Sequence, residues 1–511
     1  MPVVNQNTSE SHPDTFFPDQ TFYRACINGD LDQVERSLAE GVNVNAVMTA
    51  DFTALMLASG RGHRDVVERL INAGANLDTA RSDGITALFI AAEYGNIDCV
   101  KLLINAGANV NAAKTSDGAT PLLIAAWKGN SDCVKLLLSA GADLDARTKT
   151  GATLLFIAVQ EDNSDCVELL INAGANINAA RTSDSTNSLF VAALKSNTDC
   201  LKLLINAGAD LNARTEDGVT PLFIAAQKNN TECVKRLINA GADLNAARIT
   251  DGATPLLAAA AKGNTDCVKL LINAGADLNA RTKNSATPLY IAAQEGNTDC
   301  VQLLIDAGAN LNTPLSSNGS NPLLIAAAKG NTDCVKALIK AKANLDARTK
   351  NGATPLFFAA QENNTDCVKL LTKAGASPNA RTENGNTPLF IAALKNNTGC
   401  LKLLINAGAD PNICRTPDGA TPLYIAAAKG NTDCVKRLIN AGADLNICRT
   451  SDGATPLYVA AAKGNSDCVE LLINAGADLN ARSKNGCTPL SAAALKGKTH
   501  CLEILLNAVT K

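Results

Sequence analysis

The sequence predicts an all-α solenoid: stacked helix-turn-helix units with projecting hairpin loops, elongated and curved. One motif recurs with a period of 33 or 34 residues from near Gln20 to the C-terminal end, which is the signature of a repeat architecture. Each period carries start and stop signals for two short helices and one tight turn. Aromatic residues make up only 3% of the chain while 46% is hydrophobic, so the core must be built from Ala, Leu, Ile, Val and Cys, which suit closely packed short helices.

The elements follow in chain order. Residues 1–19, MPVVNQNTSESHPDTFFPD, lack the basic start and apolar core of a secretory signal and read as a polar, disordered tail. The array is expected over residues 20–508, with 509–511 as a short C-terminal end. Its opening unit keeps only the second half of the pattern (DLDQVERSLAEGVNVNA). Thr-Pro then begins units at Thr120, Thr220, Thr254, Thr287, Thr354, Thr387, Thr421, Thr455 and Thr488, with degraded starts at Thr53, Thr86, Thr153, Asn187 and Asn321, which makes fifteen units in all.

Inside the unit that begins at Gly352, Thr354 caps a helix start and Pro355 takes the first helical position, where a missing N–H costs nothing. That helix ends near the Asn-rich Glu362-Asn363-Asn364. Thr365 or Asp366 starts a second helix with an apolar face of Val368, Leu370 and Leu371. Gly375 stands where the chain leaves it, a position that favours left-handed backbone. Asn384-Gly385 then signals a tight turn between extended arms.

Helix, turn, helix, glycine exit and hairpin in 33 residues resembles the ankyrin repeat, whose signature T-P-L-H-x-A and later G-A-D-x-N-A match Thr220–Ala226 and Asn239–Ala246. The resemblance covers about residues 20–508 and implies a superhelical rod of roughly 150 Å for fifteen units at the usual interaxial spacing. The first and last units are expected to act as caps. One departure is systematic: the signature His is replaced by Phe223, Tyr290, Tyr424, Phe390, Leu123, Leu257 or Ser491. In the family that His ties neighbouring repeats by hydrogen bonds, so here an apolar or aromatic contact is expected to substitute.

Corresponding cysteines are spaced alternately 34 and 33 apart from Cys99 to Cys367, the extra residue falling in the hairpin (Asn111 to Gly118 against Asp145 to Gly151). Thirteen of the 17 cysteines hold one position of the second helix, from Cys99 to Cys501, and Val66 takes the same place earlier. A site that accepts Val is a small buried apolar site. Stacked helices lie roughly 10 Å apart, too far for a disulfide, which needs Cα atoms within about 7 Å. The ladder therefore reads as packing in a reducing compartment. Cys414, Cys448 and Cys487 fall in or beside hairpins and are expected to be more exposed.

A catalytic thiol needs a nearby base. Of the three His, His12 is in the tail, His63 lies between two helices, and His500 adjoins Cys501, from which a helix turns it about 100° away. Glycine-rich phosphate loops, nucleophile elbows and metal-spaced CxxC pairs are absent from the sequence. No catalytic residue, cofactor or metal is expected, and the chain reads as a non-enzyme.

The resemblance implies that hairpin tips and first helices line a concave face that engages partners. A hairpin row there carries Arg147, Arg181, Arg214, Arg248 and Arg281, and a first-helix row carries Lys128, Lys195, Lys228 and Lys262, with Glu161 and Glu295 interspersed. These rows read either as a basic track for an acidic or extended protein, or as charges that offset helix dipoles and pair with hairpin Asp residues. Trp127, the only Trp, and Tyr94 one repeat earlier form an amphipathic spot of the kind found at binding hot spots, with core packing as the alternative. The segment Pro314–Pro322 interrupts the hairpin row and reads as a contact or a bend. The Asn row (Asn178, Asn212, Asn245, Asn279, Asn412, Asn446 and Asn480) reads as structural, bonding loop amides; the same family position is sometimes hydroxylated.

The expected function is a cytoplasmic protein-binding scaffold or adaptor, monomeric, with a secreted bacterial effector in a host cytosol as one form of it. The net charge of −3 and a lack of interleaved aromatics argue against nucleic-acid binding along the basic rows, the alternative reading, beside a regulated enzyme with an unrecognised site. No apolar run reaches the 18 residues of a membrane span, so membrane insertion is not expected.

Overall fold

A run of short helices that cannot bury an apolar face alone must lean on its neighbours, and it does. The computed structural model describes residues 18–48 and 50–510, and these hold thirty α-helices in fifteen pairs, with no strand beyond one isolated bridge between Arg147 and Thr153. The expected tail lies outside the described residues except for its end, because the first helix already begins at Pro18 (Pro18–Asn28). The last helix, Thr499–Val509, runs one residue past the expected end of the array.

The chain divides into two compact units: residues up to 225 together with 235–242, and residues 226–234 together with 243 onward. Within each unit, first helices pack on first helices and second helices on second. In the first unit a representative layer is Pro121–Lys128 with Ser131–Ser139, whose Leu122, Ala125, Ala126, Val134 and Leu137 are wholly buried. In the second unit, Pro422–Lys429 and Thr432–Asn440 bury Leu423, Ala426, Val435 and Leu438 in the same places.

The capping logic holds at the first helices from Thr53 onward, including those whose Thr-Pro is degraded. Thr120 Oγ1 accepts from the Leu123 amide at 3.2 Å, Thr354 from Phe357 at 3.3 Å, and Asn187 and Asn321 use Oδ1 on Phe190 and Leu324, both at 2.9 Å. Gly375, at φ 94°, leaves its helix in the left-handed region as expected.

The second helix begins where the sequence places it. It starts at Thr365, but the residue before it, Asn364, does not cap its own helix. Its amide instead donates to Ala327 O (2.8 Å) and Ala328 O (3.0 Å) at the end of the preceding repeat's first helix. Asn130, Asn163, Asn297 and Asn397 do the same, and His63 fills this register near the start of the chain, its Nε2 lying 2.8 Å from Ile27 O. These side chains supply carbonyl partners that a helix C-terminus lacks and clamp one repeat to the next.

A second clamp is the Asn row. Asn178 Oδ1 accepts from the Asp210 amide at 2.8 Å, Asn279 from Asn310 at 2.9 Å, and Asn446 from Asp478 at 3.0 Å. Hairpin tips add a third, a backbone bond at many steps, as from Lys149 N to Asp117 O (2.8 Å) and Lys350 N to Asn318 O (2.8 Å).

Candidate functional site

Hairpins and first helices make up the face where a partner was expected, and its arginines divide into two classes. In units with the longer hairpin the turn closes on the Arg itself: Arg181 N donates to Thr186 O at 2.8 Å, which brings Asp184 round to the guanidinium. Arg248 grips Asp251 with two bonds (2.9 and 2.6 Å), and Arg415–Asp418 and Arg449–Asp452 repeat the fork. The hydrogen-bonded Arg holds each carboxyl of Asp184, Asp251, Asp418 and Asp452 below its ordinary range.

The same guanidinium groups stack on the preceding repeat. Arg181 lies 4.8 Å over the Phe156 ring, Arg415 5.4 Å over Phe390 and Arg449 5.1 Å over Tyr424. Phe156, Phe390 and Tyr424 occupy the place of the signature His, so the expected aromatic substitute is a cation–π contact between repeats. In the shorter hairpins the turn closes one residue later, Thr148 N donating to Ala152 O (3.0 Å), and Arg147 reaches out to Gly151 O and Ala180 O, both at 3.0 Å. Arg348 and Arg381 likewise bond carbonyls of the following hairpin. Most of the hairpin row is thus engaged within the chain.

The Pro314–Pro322 interruption changes the sequence but not the turn: Leu315 N donates to Ser320 O at 2.8 Å, the pattern of the longer hairpins.

The first-helix lysines stand differently. Lys128, Lys195, Lys228 and Lys262 are exposed at helix ends. Lys128 approaches Glu93 at 3.9 Å and the Trp127 ring at 5.9 Å. Glu161 and Glu295 are exposed and accept from adjacent glutamines, Gln160 and Gln294.

Trp127 and Tyr94 are not core residues. Trp127 is 46% exposed and Tyr94 66%, among the few large apolar side chains that face solvent. Trp127 walls a groove of about 350 Å³ between the hairpins and first helices of two successive repeats in the first unit. Leu123, Ala152, Phe156 and Ile157 form its floor and sides, and Lys149 and Arg181 stand at the hairpin end.

The thiols are spent on packing. Every ladder cysteine is free and buried, and Cys414, Cys448 and Cys487 are the more exposed ones, as their hairpin positions predict. Burial pushes the Cys133 thiol up to about 11 and Cys200 to about 12, the opposite of what a nucleophile needs. His500 approaches Glu503 at 3.7 Å on the surface while Cys501 is buried, so the two do not form a catalytic pair. Among the described residues no cluster of His, Cys, Asp and Glu could hold a metal, and no helix is long and apolar enough to cross a membrane.

A family comparison accounts for this repeated architecture. The model for ankyrin repeats (three copies) matches seven times in succession, from residues 22–114 through 430–511. The chain belongs to the ankyrin-repeat family. Ankyrin repeats are generally protein–protein interaction modules, and the fold is typically non-catalytic. Among solved structures, the human ASB11 ankyrin repeat domain is similar at 28% identity, with 43% of this chain covering 98% of that one at a TM-score of 0.40. No curated protein matches the chain.

The sequence missed the clamp Asn residues and the two fates of the arginines. The first left a signal, an Asn before Ser/Thr-Asp-Cys in nearly every repeat, but that Asn reads equally as a local cap.

Proposed function

We infer that this ankyrin array is a protein-binding scaffold that takes its partner on the hairpin and first-helix face, centred on Trp127. The observation that carries this reading is the exposed Trp127 on the wall of a largely apolar groove, with exposed Tyr94 one repeat earlier. An aromatic that is half exposed in the free protein gains buried area on binding, and such residues dominate interface energies. Within the first unit Lys128 and Lys195 extend the surface along the first helices, with Glu161 between them and Arg147, Arg181 and Arg214 along the hairpins; in the second unit Lys228, Lys262, Glu295, Arg248 and Arg281 hold the corresponding places. The buried free thiols fit a reducing compartment, the producing cell's cytosol or a host's if the chain is delivered as an effector.

The test uses the single Trp as its own probe. A partner captured on the full chain, then purified and titrated against it, should shift Trp127 emission. Trp127→Ala should weaken binding by about tenfold or more, the equivalent of about 1.4 kcal/mol. Lys128→Glu with Lys195→Glu serves as the charge probe, since most hairpin arginines hold the fold. Unchanged affinity in both variants, with circular dichroism unchanged, would place the partner elsewhere and defeat the proposal.

A further inference from the structure

The second-helix face of the second unit carries a charge field that no part of the reading above uses. Four successive second helices, Thr332–Lys340, Thr365–Lys373, Thr398–Asn406 and Thr432–Asn440, present Lys336, Lys340, Lys369, Lys373, Lys402, Lys436 and Arg437. They offer only three carboxylates, Asp333, Asp366 and Asp433, so seven cations less three anions leave +4 on a chain whose net charge is −3. All seven cations are exposed, and none stands in an ion pair among the described residues. Helix Thr398–Asn406 has Gly399 where the other three carry the Asp of their first turn.

The field has edges. The helix before it, Thr298–Asp306, carries Asp299, Asp306 and Gln302; the helix after it, Ser466–Asn474, carries Asp467 and Glu470. Inside the field, helices Thr398–Asn406 and Thr432–Asn440 flank an open pocket of about 200 Å³ lined by Lys402, Ile405, Asn406, Arg437, Asn440 and Ala441. Two cations, two amides and an aliphatic wall suit a carboxylate on a short stem. An equivalent pocket in the first unit, with Lys202 and Arg236, lies next to the acidic helix Ser164–Asn172 and has no such field around it.

We propose that this face binds an extended acidic protein segment, rich in Asp and Glu, with one carboxylate seated between Lys402 and Arg437. Four helices spaced 8–10 Å apart span roughly 25–30 Å, which an extended segment of about nine residues covers. None of the chain's large exposed apolar side chains lies between Thr332 and Asn440, so the face has neither a wedge for a membrane interior nor a ring for stacking a base. Charge complementarity selects an acidic peptide.

The probe is a fluorescein-labelled peptide of about twelve residues alternating Glu with Gly and Leu, long enough to span the face, followed by anisotropy against the full chain. It should bind at low salt and weaken steeply when ionic strength is raised toward about 0.3 M. Reversing Lys369, Lys402 and Arg437 to Glu should lower affinity about tenfold or more, whereas reversing Lys329, Lys395 and Lys429, on first helices of the same four-repeat block, should leave it within about twofold. Lys202→Glu and Trp127→Ala should not change it, which separates this proposal from the one centred on Trp127. Loss of binding from both triple reversals alike would mean diffuse attraction and overturn the site. So would duplex DNA or phosphatidylserine vesicles binding more tightly than the peptide and responding to the same variant. A peptide that fails to bind at low salt overturns it outright.

Discussion

The hairpins at Arg147 and Arg181 follow one another in the chain and read almost alike, yet they do different work. In the second, an extra Ala before the Arg moves turn closure back by one residue, so Arg181 forks onto Asp184 and lies on Phe156. In the first, closure falls on Thr148 and Arg147 is freed to bond the carbonyl of Ala180 in the next hairpin. One inserted residue thus changes a guanidinium from a carbonyl clamp between hairpins into an ion pair within the turn that also rests on the preceding repeat's ring. A residue's identity in a repeat register does not fix its role when the register can slide by one.

The comparison can be broken most severely at a turn that both classes need. Gly385 sits at φ 72°, and a Cβ there would meet Thr416 N of the next hairpin at 2.5 Å. Gly385→Ala should cost about 2 kcal/mol or more in urea denaturation, since left-handed strain and a clash with backbone combine. An Ala tolerated without loss would mean that the hairpins are not in register.

Removing the carboxylate from the longer class comes next. Asp418→Asn should cost about 1 kcal/mol near neutral pH, the ordinary worth of a charge-assisted pair that is partly solvated. In shorter hairpins, Arg348→Ala should cost a similar or smaller amount through loss of its bond to Arg381 O at 2.8 Å.

pH should separate the classes. The carboxyls of Asp184, Asp251, Asp418 and Asp452 are held below their unfolded value, so their stabilisation is full above about pH 4 and is lost as pH falls through the lowered folded values. Amide exchange at Gly419 and Gly453 should therefore accelerate on acidification beyond its intrinsic rate, while Gly151 and Gly352, in turns without that pair, keep their relative protection. Equal behaviour would deny the distinction. The smallest effect is a gain: Ser285 stands at φ 66° in the Gly151 register, and Ser285→Gly should add about 0.5 kcal/mol, strain relief outweighing the added freedom of the unfolded chain.

Much of this was legible before any coordinates. Thr354, Pro355, Gly375 and Asn384-Gly385 act through their own backbone neighbourhood, so local chemistry suffices to read them. Cys99 to Cys501 could be read because Val66 shares their site, and apolar burial depends on side-chain type more than on partner. Asn364 could not, because an Asn before a helix has two satisfactory targets, its own N3 amide or another segment's carbonyl, and only packing decides between them. Trp127 was open for the same reason: a lone aromatic on a first helix faces core or solvent according to where the next repeat lies.

The sequence alone determined the period, the caps, the paired helices and the membership of the array, since each is set by interactions within a few residues of the chain. The tertiary structure alone decided which polar groups are consumed between repeats and which stay exposed to solvent. That division turns on atoms 30 or more positions apart coming within 3 Å, as Asn364 Nδ2 does with Ala327 O, and no local propensity specifies it. It is also why the second-helix cations of the second unit emerged as a surface only when the residues that might have neutralised them were seen to lie elsewhere.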